Sequence, residues 1–388
     1  MKLLSIEPTP SPNSMKLNVD EKLPAGERYT YTLAKRDQVP PFYLRLLSIP
    51  GVKSVFRTAD FIAVDRRPNA DWAEILGAVR ELFGADGAAA EALGAPEAGG
   101  FGEAHVLVQM YRGIPIQIRV RYGGQEARAA LPERFAAAVT EAAGATMIRE
   151  RKLEEIGIRY GEPQDILEEV KRELDAAYPD ERLRELVEQA KAAGAGGDGA
   201  VVQPAPPAEL SREELERRLS APDWQTRYAA LSRVKPAPEL LPLLAKAVRD
   251  AHVSVRRLAV VYLGDLRSPE ALPYLFEALK DSSPAVRRTA GDTLSDLGDP
   301  AAIGPMTAAL SDANKLVRWR AARFLYEAGD ETALEALERA AASEPEFEVR
   351  LQAEMALARI RSGEEAAGSV WQQMTRMREE NRGGGDKA

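Results

Sequence analysis

The chain reads as a multi-domain protein, with two small α+β domains followed by an all-α repeat solenoid. Three observations predict this. A small residue returns about every 31 positions late in the chain: Ala229, Ala259, Ala290, Ala321 and Ala353, at steps of 30, 31, 31 and 32. A fixed period of this length marks stacked supersecondary units. Ahead of it, alternating apolar runs typical of half-buried strands are interspersed with helical periodicities. Between the two regimes lies AGAGGDGAVVQPAPP at 193–207, with the composition of a linker that stiffens at its proline end.

The first domain is expected over residues 1–86. Residues 3–6 and 14–19 read as neighbouring strands, and 42–49 as a short helix stopped by Pro50 and Gly51. Residues 52–56 and 61–64 are apolar runs around a polar turn, which is a hairpin signal. Residues 71–83 form an amphipathic helix with Trp72, Ile75, Leu76, Val79 and Phe83 on one face, and Asp71 suits its N-cap or first turn. The order ββαββα predicts helices covering one face of a sheet.

An Ala- and Gly-rich connector spans 84–102. The second α+β domain is expected over 103–192. It has strands at 105–111 and 114–122 around an Arg112-Gly113 turn, and a helix carrying Leu131, Phe135 and Val139. A strand at 156–160 and helices at 163–176 and 181–192 complete it. Residues 193–208 are the flexible linker.

The solenoid is expected over 209–362, each repeat being two helices. Helix A falls at 269–279 and 300–310, helix B at 284–297 and 314–328. Ser268-Pro269, Ser283-Pro284 and Asp299-Pro300 each set a capping side chain before a proline at the first helical position. Gly298 and Gly329 fall where helix B should stop. The periodic alanines sit within helix B, where a small side chain allows close approach. Residues 363–388 read as a last helix with Trp371, Met374 and Met377, which closes the open end of the array, followed by a disordered tail.

Composition excludes several classes of function. The net charge of -8 argues against a nucleic-acid partner. The absence of cysteine removes disulfides, thiolate metal sites and cysteine nucleophiles. The two histidines, His105 and His252, are far apart and lack the spaced partners of a metal or relay site. No stretch approaches the length of a membrane span, and the start lacks the apolar core of a signal peptide. The reading is a cytoplasmic protein with no membrane partner, no cofactor, no metal and no catalytic residues.

The words Asp250-x-x-x-x-Val255-Arg256-Arg257 and Ala259-x-x-x-Leu263-Gly264-Asp265-Leu266 resemble HEAT repeats of the short bacterial type, also found in phycobilisome-lyase-like proteins. Thr9 to Lys16, Pro50 to Phe56 and Asp60 to Val64 resemble the N-terminal domain of NifU-like (Nfu) scaffold proteins. The combination resembles the conserved virulence factor C family of Firmicutes-type bacteria, which implies a cytoplasmic regulatory or scaffold role. Nfu proteins hold a cluster on a Cys-x-x-Cys in a separate domain. This chain has no cysteine, so the resemblance implies docking only.

Arg256, Arg287, Arg318 and Arg350 share one phase at the start of helix B. Stacking would line them into a ridge that grips acidic groups on a protein partner. The other reading is an internal ladder, with Arg257 and Arg288 or their neighbours bonded to Asp250, Asp281 and Asp312. Trp319 reads as an exposed anchor in the ridge or as core. The Pro-rich loop from Thr9 to Ser14 reads as a docking loop or as plain turn chemistry. The function expected is a non-enzymatic scaffold binding protein partners through its repeat surface and its Nfu-like domain. An accessory of iron–sulfur assembly without its own cluster, and a phycobilisome-lyase-like enzyme, are the alternatives.

Overall fold

The computed structural model describes residues 1–8, 13–24, 27–67, 70–83, 103–122, 125–143, 151–192 and 210–363. The connector at 84–102, the linker at 193–208, the tail with Trp371, Met374 and Met377, and residues 9–12 of the Pro-rich loop lie outside the described residues. The chain divides into two compact units, residues 1–103 with 298–388, and residues 104–297.

The first sheet is built from β1 (Leu3–Pro8), β2 (Ser14–Val19), β3 (Arg28–Tyr31), β4 (Val52–Thr58) and β5 (Phe61–Arg66), in the order β1-β2-β5-β4-β3. Its helices are α1 (Pro41–Leu47) and α2 (Trp72–Leu82). Val64 lies opposite Met15 on one side and Val55 on the other, so one face of the sheet is apolar. That face buries Leu17, Val55, Ile62 and Val64 against Leu46, Trp72, Ile75 and Val79. Arg57 is buried because it satisfies backbone carbonyls; it donates to Thr58, Ala59, Phe61 and Glu21. Gly51 sits at φ 89° after α1, and a Cβ there would collide with Ala70. The expected ββαββα order lacks edge strand β3, whose RYTY sequence has no apolar alternation.

The second sheet consists of β6 (Glu103–Tyr111), β7 (Ile114–Tyr122), β8 (Gln125–Ala130) and β9 (Arg151–Tyr160), in the order β8-β7-β6-β9. Helices α3 (Glu133–Ala142), α4 (Pro163–Ala177) and α5 (Asp180–Ala192) cover it. Val106, Ile118 and Val120 pack on Phe135, Val139, Ile166, Val170 and Leu183. Strand β8 is not anticipated by the sequence, and β9 begins five residues earlier than the apolar run at 156–160 suggests.

Among the described residues ten helices follow: α6 (Arg212–Arg218), α7 (Trp224–Leu231), α8 (Leu241–Ala247), α9 (Val253–Asp265), α10 (Leu272–Ala278), α11 (Pro284–Leu297), α12 (Ile303–Ala309), α13 (Lys315–Ala328), α14 (Leu334–Ser343) and α15 (Phe347–Ser362). Helices α6 to α11 belong to the unit of the second sheet, α12 to α15 to that of the first. Helix A of the later repeats opens with one tight 3-10 turn, as at Pro269–Ala271 and Pro300–Ala302, before its α-helical part. Helix B is capped in its own phase. Asp223 accepts from the Thr226 N–H, His252 Nδ1 from Ser254 and Asn314 from Leu316. Ser268 departs from expectation, since its hydroxyl meets Glu270 and caps no backbone N–H. Gly298 adopts φ 63°, the left-handed stop. Gly329 does not (φ −69°), but a Cβ there would strike the Leu325 backbone. Ala259, Ala290, Ala321 and Ala353 are fully buried.

Candidate functional site

Two adjacent positions in the first turns of helix B carry the chemistry of the repeats. The first holds Arg227, Arg256, Arg287, Arg318 and Arg350. Three of these guanidiniums fork onto an acid in the turn before helix B of the next repeat. Arg256 reaches Asp281 at 2.6 and 2.9 Å, Arg227 reaches Asp250 at 2.6 and 2.8 Å, and Arg318 reaches Glu344 at 2.7 and 2.8 Å. All five arginines turn Nη1 back onto the carbonyl six residues earlier: Ala221, Asp250, Asp281, Asp312 and Glu344. The acid serves its own turn as well. Asp250 accepts from the His252 N–H, Asp281 from Ser283, Asp312 from Asn314 and Glu344 from Glu346.

A forked arginine thus ties its own turn to the next, meeting two needs of helix termini at once. Burial pushes the Asp281 carboxyl up, but the Arg256 fork and the Ser283 N–H together bring it below its ordinary value. The bonds to Asp281 and Glu344 raise Arg256 and Arg318. Arg256, Arg287, Arg318 and Arg350 share one phase of helix B; Arg256 and Arg318 tie their turn to the next, and Arg287 and Arg350 bond carbonyls of their own turn. Arg227 belongs to the same set, and the recurring word does not reveal it, because its repeat reads Thr-Arg-Tyr instead of Val-Arg-Arg. Its signal is the acid Asp250, 23 residues on, against 25 for the Arg256 pair.

The second position holds Tyr228, Arg257, Arg288, Trp319 and Leu351. In the unit of the second sheet, these residues grip the chain's own α+β domain. Glu173 of α4 is 4% exposed and lies between two arginines. Arg257 Nη2 approaches both of its oxygens at 3.1 Å, and Arg159 Nη2 approaches Oε2 at 2.8 Å. Burial drives the Glu173 carboxyl up, but the two guanidiniums overcome this and hold it below the ordinary range. Buried Tyr228, close to Glu173, is pushed well above the usual phenol value, mainly by desolvation. The guanidinium of Arg288 lies 4.3 Å from the Tyr160 ring centroid, a cation–π contact.

In the unit of the first sheet the grip is largely apolar. Phe347 is buried in the same core as Leu17, Ile62, Trp72 and Ile75, and Leu351 packs beside it. Arg66 Nη1 meets Glu348 Oε1 at 2.6 Å, with Arg66 stacked over Trp72 at 5.3 Å. Trp319 is 2% exposed and packs on Val349 and Leu316. Its ring is core, which corrects the expectation of an exposed anchor: the position faces an apolar neighbour on α15. His252 stacks on Trp224 at 3.8 Å, and burial lowers its pKa. His105 meets Glu155 at 2.7 Å, with both side chains about half exposed. Among the described residues no three His, Asp or Glu side chains converge as metal ligands, and no described helix is long and apolar enough to cross a membrane. The paired ions and packed rings are suited to holding surfaces together.

Family comparisons agree with this architecture. The model for HEAT repeats matches residues 212–290 and 272–358, that for the Nfu/NifU scaffold N terminus matches 4–87, and a virulence factor model matches 109–187. These matches define a HEAT-repeat protein with an Nfu-type N-terminal domain. The uncharacterized protein YpgR of Bacillus subtilis (strain 168) is 53% identical over 380 residues, covering 97% of this chain and 99% of the relative. Conserved virulence factor C of Staphylococcus aureus (strain MRSA252) is 45% identical over 379 residues, again 97% of this chain and 99% of the relative. The chain belongs to the conserved virulence factor C family. Of solved structures, the crystal structure of protein SAV1430 from Staphylococcus aureus is 38% identical, covers 21% of this chain and 99% of that one, and has a TM-score of 0.20.

Proposed function

We propose that the chain is a cytoplasmic, non-enzymatic scaffold that binds protein partners. The observation that carries this reading is the start of helix B. Arg257 there takes a carboxylate from a folded domain. In α15 the same turn serves the other domain, with Phe347 entering its core and Glu348 pairing with its Arg66. Repeats that already seat globular domains in this way are suited to capturing others. Arg256 and Arg318 serve the scaffold by tying neighbouring repeats together, and Arg287 and Arg350 by bracing their own turns.

Chemical cross-linking of the intact chain in cell extract, followed by mass spectrometry, tests this. The expected result is one or a few proteins joined reproducibly to repeat residues. No such protein, together with turnover of a small molecule by the purified chain, would overturn it. The intact chain is required because a cut after residue 192 would strip Phe347 from the first core. The Nfu-type match over 4–87 supports a narrower second reading, an accessory of iron–sulfur assembly that docks without holding a cluster. That reading expects the captured proteins to carry clusters themselves.

A further inference from the structure

Among the described residues strand β9 is an edge of the second sheet, and residues 151–158 are all exposed. Five large apolar side chains are exposed among the described residues, and three of them, Leu153, Ile156 and Ile158, lie on this strand. An edge with exposed apolar residues invites another strand, and charged side chains usually guard against it. The charges here have a particular pattern. The sequence Arg151-Lys152-Leu153-Glu154-Glu155 places cations before Leu153 and anions after it.

We propose that β9 pairs with β9 of a second copy of this chain, antiparallel about a two-fold axis through Leu153. Alternate residues point their N–H and C=O groups to the same edge, so a symmetric pairing must be centred on a residue. Centring on Leu153 sets Arg151 opposite Glu155 of the second copy, Lys152 opposite Glu154, and Leu153 opposite itself. By symmetry every ion pair forms twice. Glu155 already meets His105 within its own sheet, so the Lys152–Glu154 pair is the cleaner probe of register. Centring on Lys152, Glu154 or Glu155 sets like charges directly opposite, which is destabilising. Centring on Ile156 opposes no charged pair. Centring on Gly157 needs Arg159, which Glu169 and Glu173 already hold, and needs extended backbone where Gly157 has φ 128°. Charge complementarity therefore selects one register and one occupant, and the two four-stranded sheets become continuous across the axis.

Sedimentation of the intact chain over a concentration series tests the pairing, with two exposed charge reversals as variants. Lys152→Glu sets Glu against Glu, and Glu154→Lys sets Lys against Lys, so each alone should weaken dimerisation about ten-fold or more. Mixed one to one, the two variants are complementary again, and the heterodimer should return to the wild-type affinity. The proposal is overturned if the wild type stays monomeric at its highest attainable concentration. It is equally overturned if either variant dimerises like the wild type, or if the mixture stays as weak as its components.

Discussion

The two sheet domains are seated on helical repeats by different means. The first shares its core with α15, where Phe347 sits among Leu17, Ile62 and Trp72 and the ion pair of Arg66 with Glu348 stands beside it. The buried residues of the second domain's core all come from 104–190, and its join to the repeats is ionic and aromatic: Glu173 between Arg159 and Arg257, and Tyr160 under Arg288. Apolar burial is non-directional and stabilises roughly in proportion to area. A buried ion cluster adds little net stability but is costly to leave incomplete. The first seat therefore stabilises chiefly by burial, and the second chiefly fixes a geometry.

The largest expected effect tests the apolar seat. Phe347→Ala should cost about 3–5 kcal/mol in denaturant unfolding, through lost burial and a cavity. A loss below about 1 kcal/mol would show that the ring is not shared core. Next is the ionic seat. Glu173→Gln leaves two guanidiniums without their carboxylate and should cost about 3 kcal/mol. Hydrogen exchange should then accelerate in α4 and α7 while α2 and α15 are unchanged; equal acceleration in all four would erase the contrast. The sign of the pH effect follows from the depressed carboxyl. The stability due to Glu173 is complete above its ordinary value near 4.5 and is lost as pH falls through the lower folded value. In an acid titration of wild type against Glu173→Gln, the difference in stability should shrink below that pH. A constant difference down to the acid transition counts against the assignment.

Smaller effects probe the staples common to both units. Arg256→Lys keeps the charge but loses the fork onto Asp281 and the carbonyls of Asp250 and Ala251, for about 1–2 kcal/mol by thermal unfolding. An unchanged melt would mean that the column is free to serve a partner. Asn314→Ala removes one helix cap and should cost about 1 kcal/mol, with Asn314→Asp near neutral. Equal losses for both variants would point away from capping.

The repeats are legible in the sequence because their constraints are local and recur: a buried alanine, a capping residue and an arginine return in phase. What the arginines bind is less so, because the partner acid lies 23 to 26 residues away and in one repeat is Glu344 where an aspartate is expected. The seats are not legible. Glu173 is one acid among many on α4, and nothing local marks it as buried. Nothing in the sequence around Phe347 sets it apart from the other apolar residues of the repeats. Strands β3 and β8 are hidden for a related reason: RYTY and QEARAA owe their pairing to neighbours, not to alternation.

The bond between Arg66 and Glu348 joins residues 282 positions apart. During synthesis the amino-terminal domain leaves the ribosome before Phe347, the α15 side chain buried in its core, has been made. Until then the patch that Phe347 and Leu351 cover stays open to chaperones and to neighbouring nascent chains. Completion of the first domain's core therefore waits on synthesis of α15, and a ribosome stalled before it would release a product with that patch uncovered.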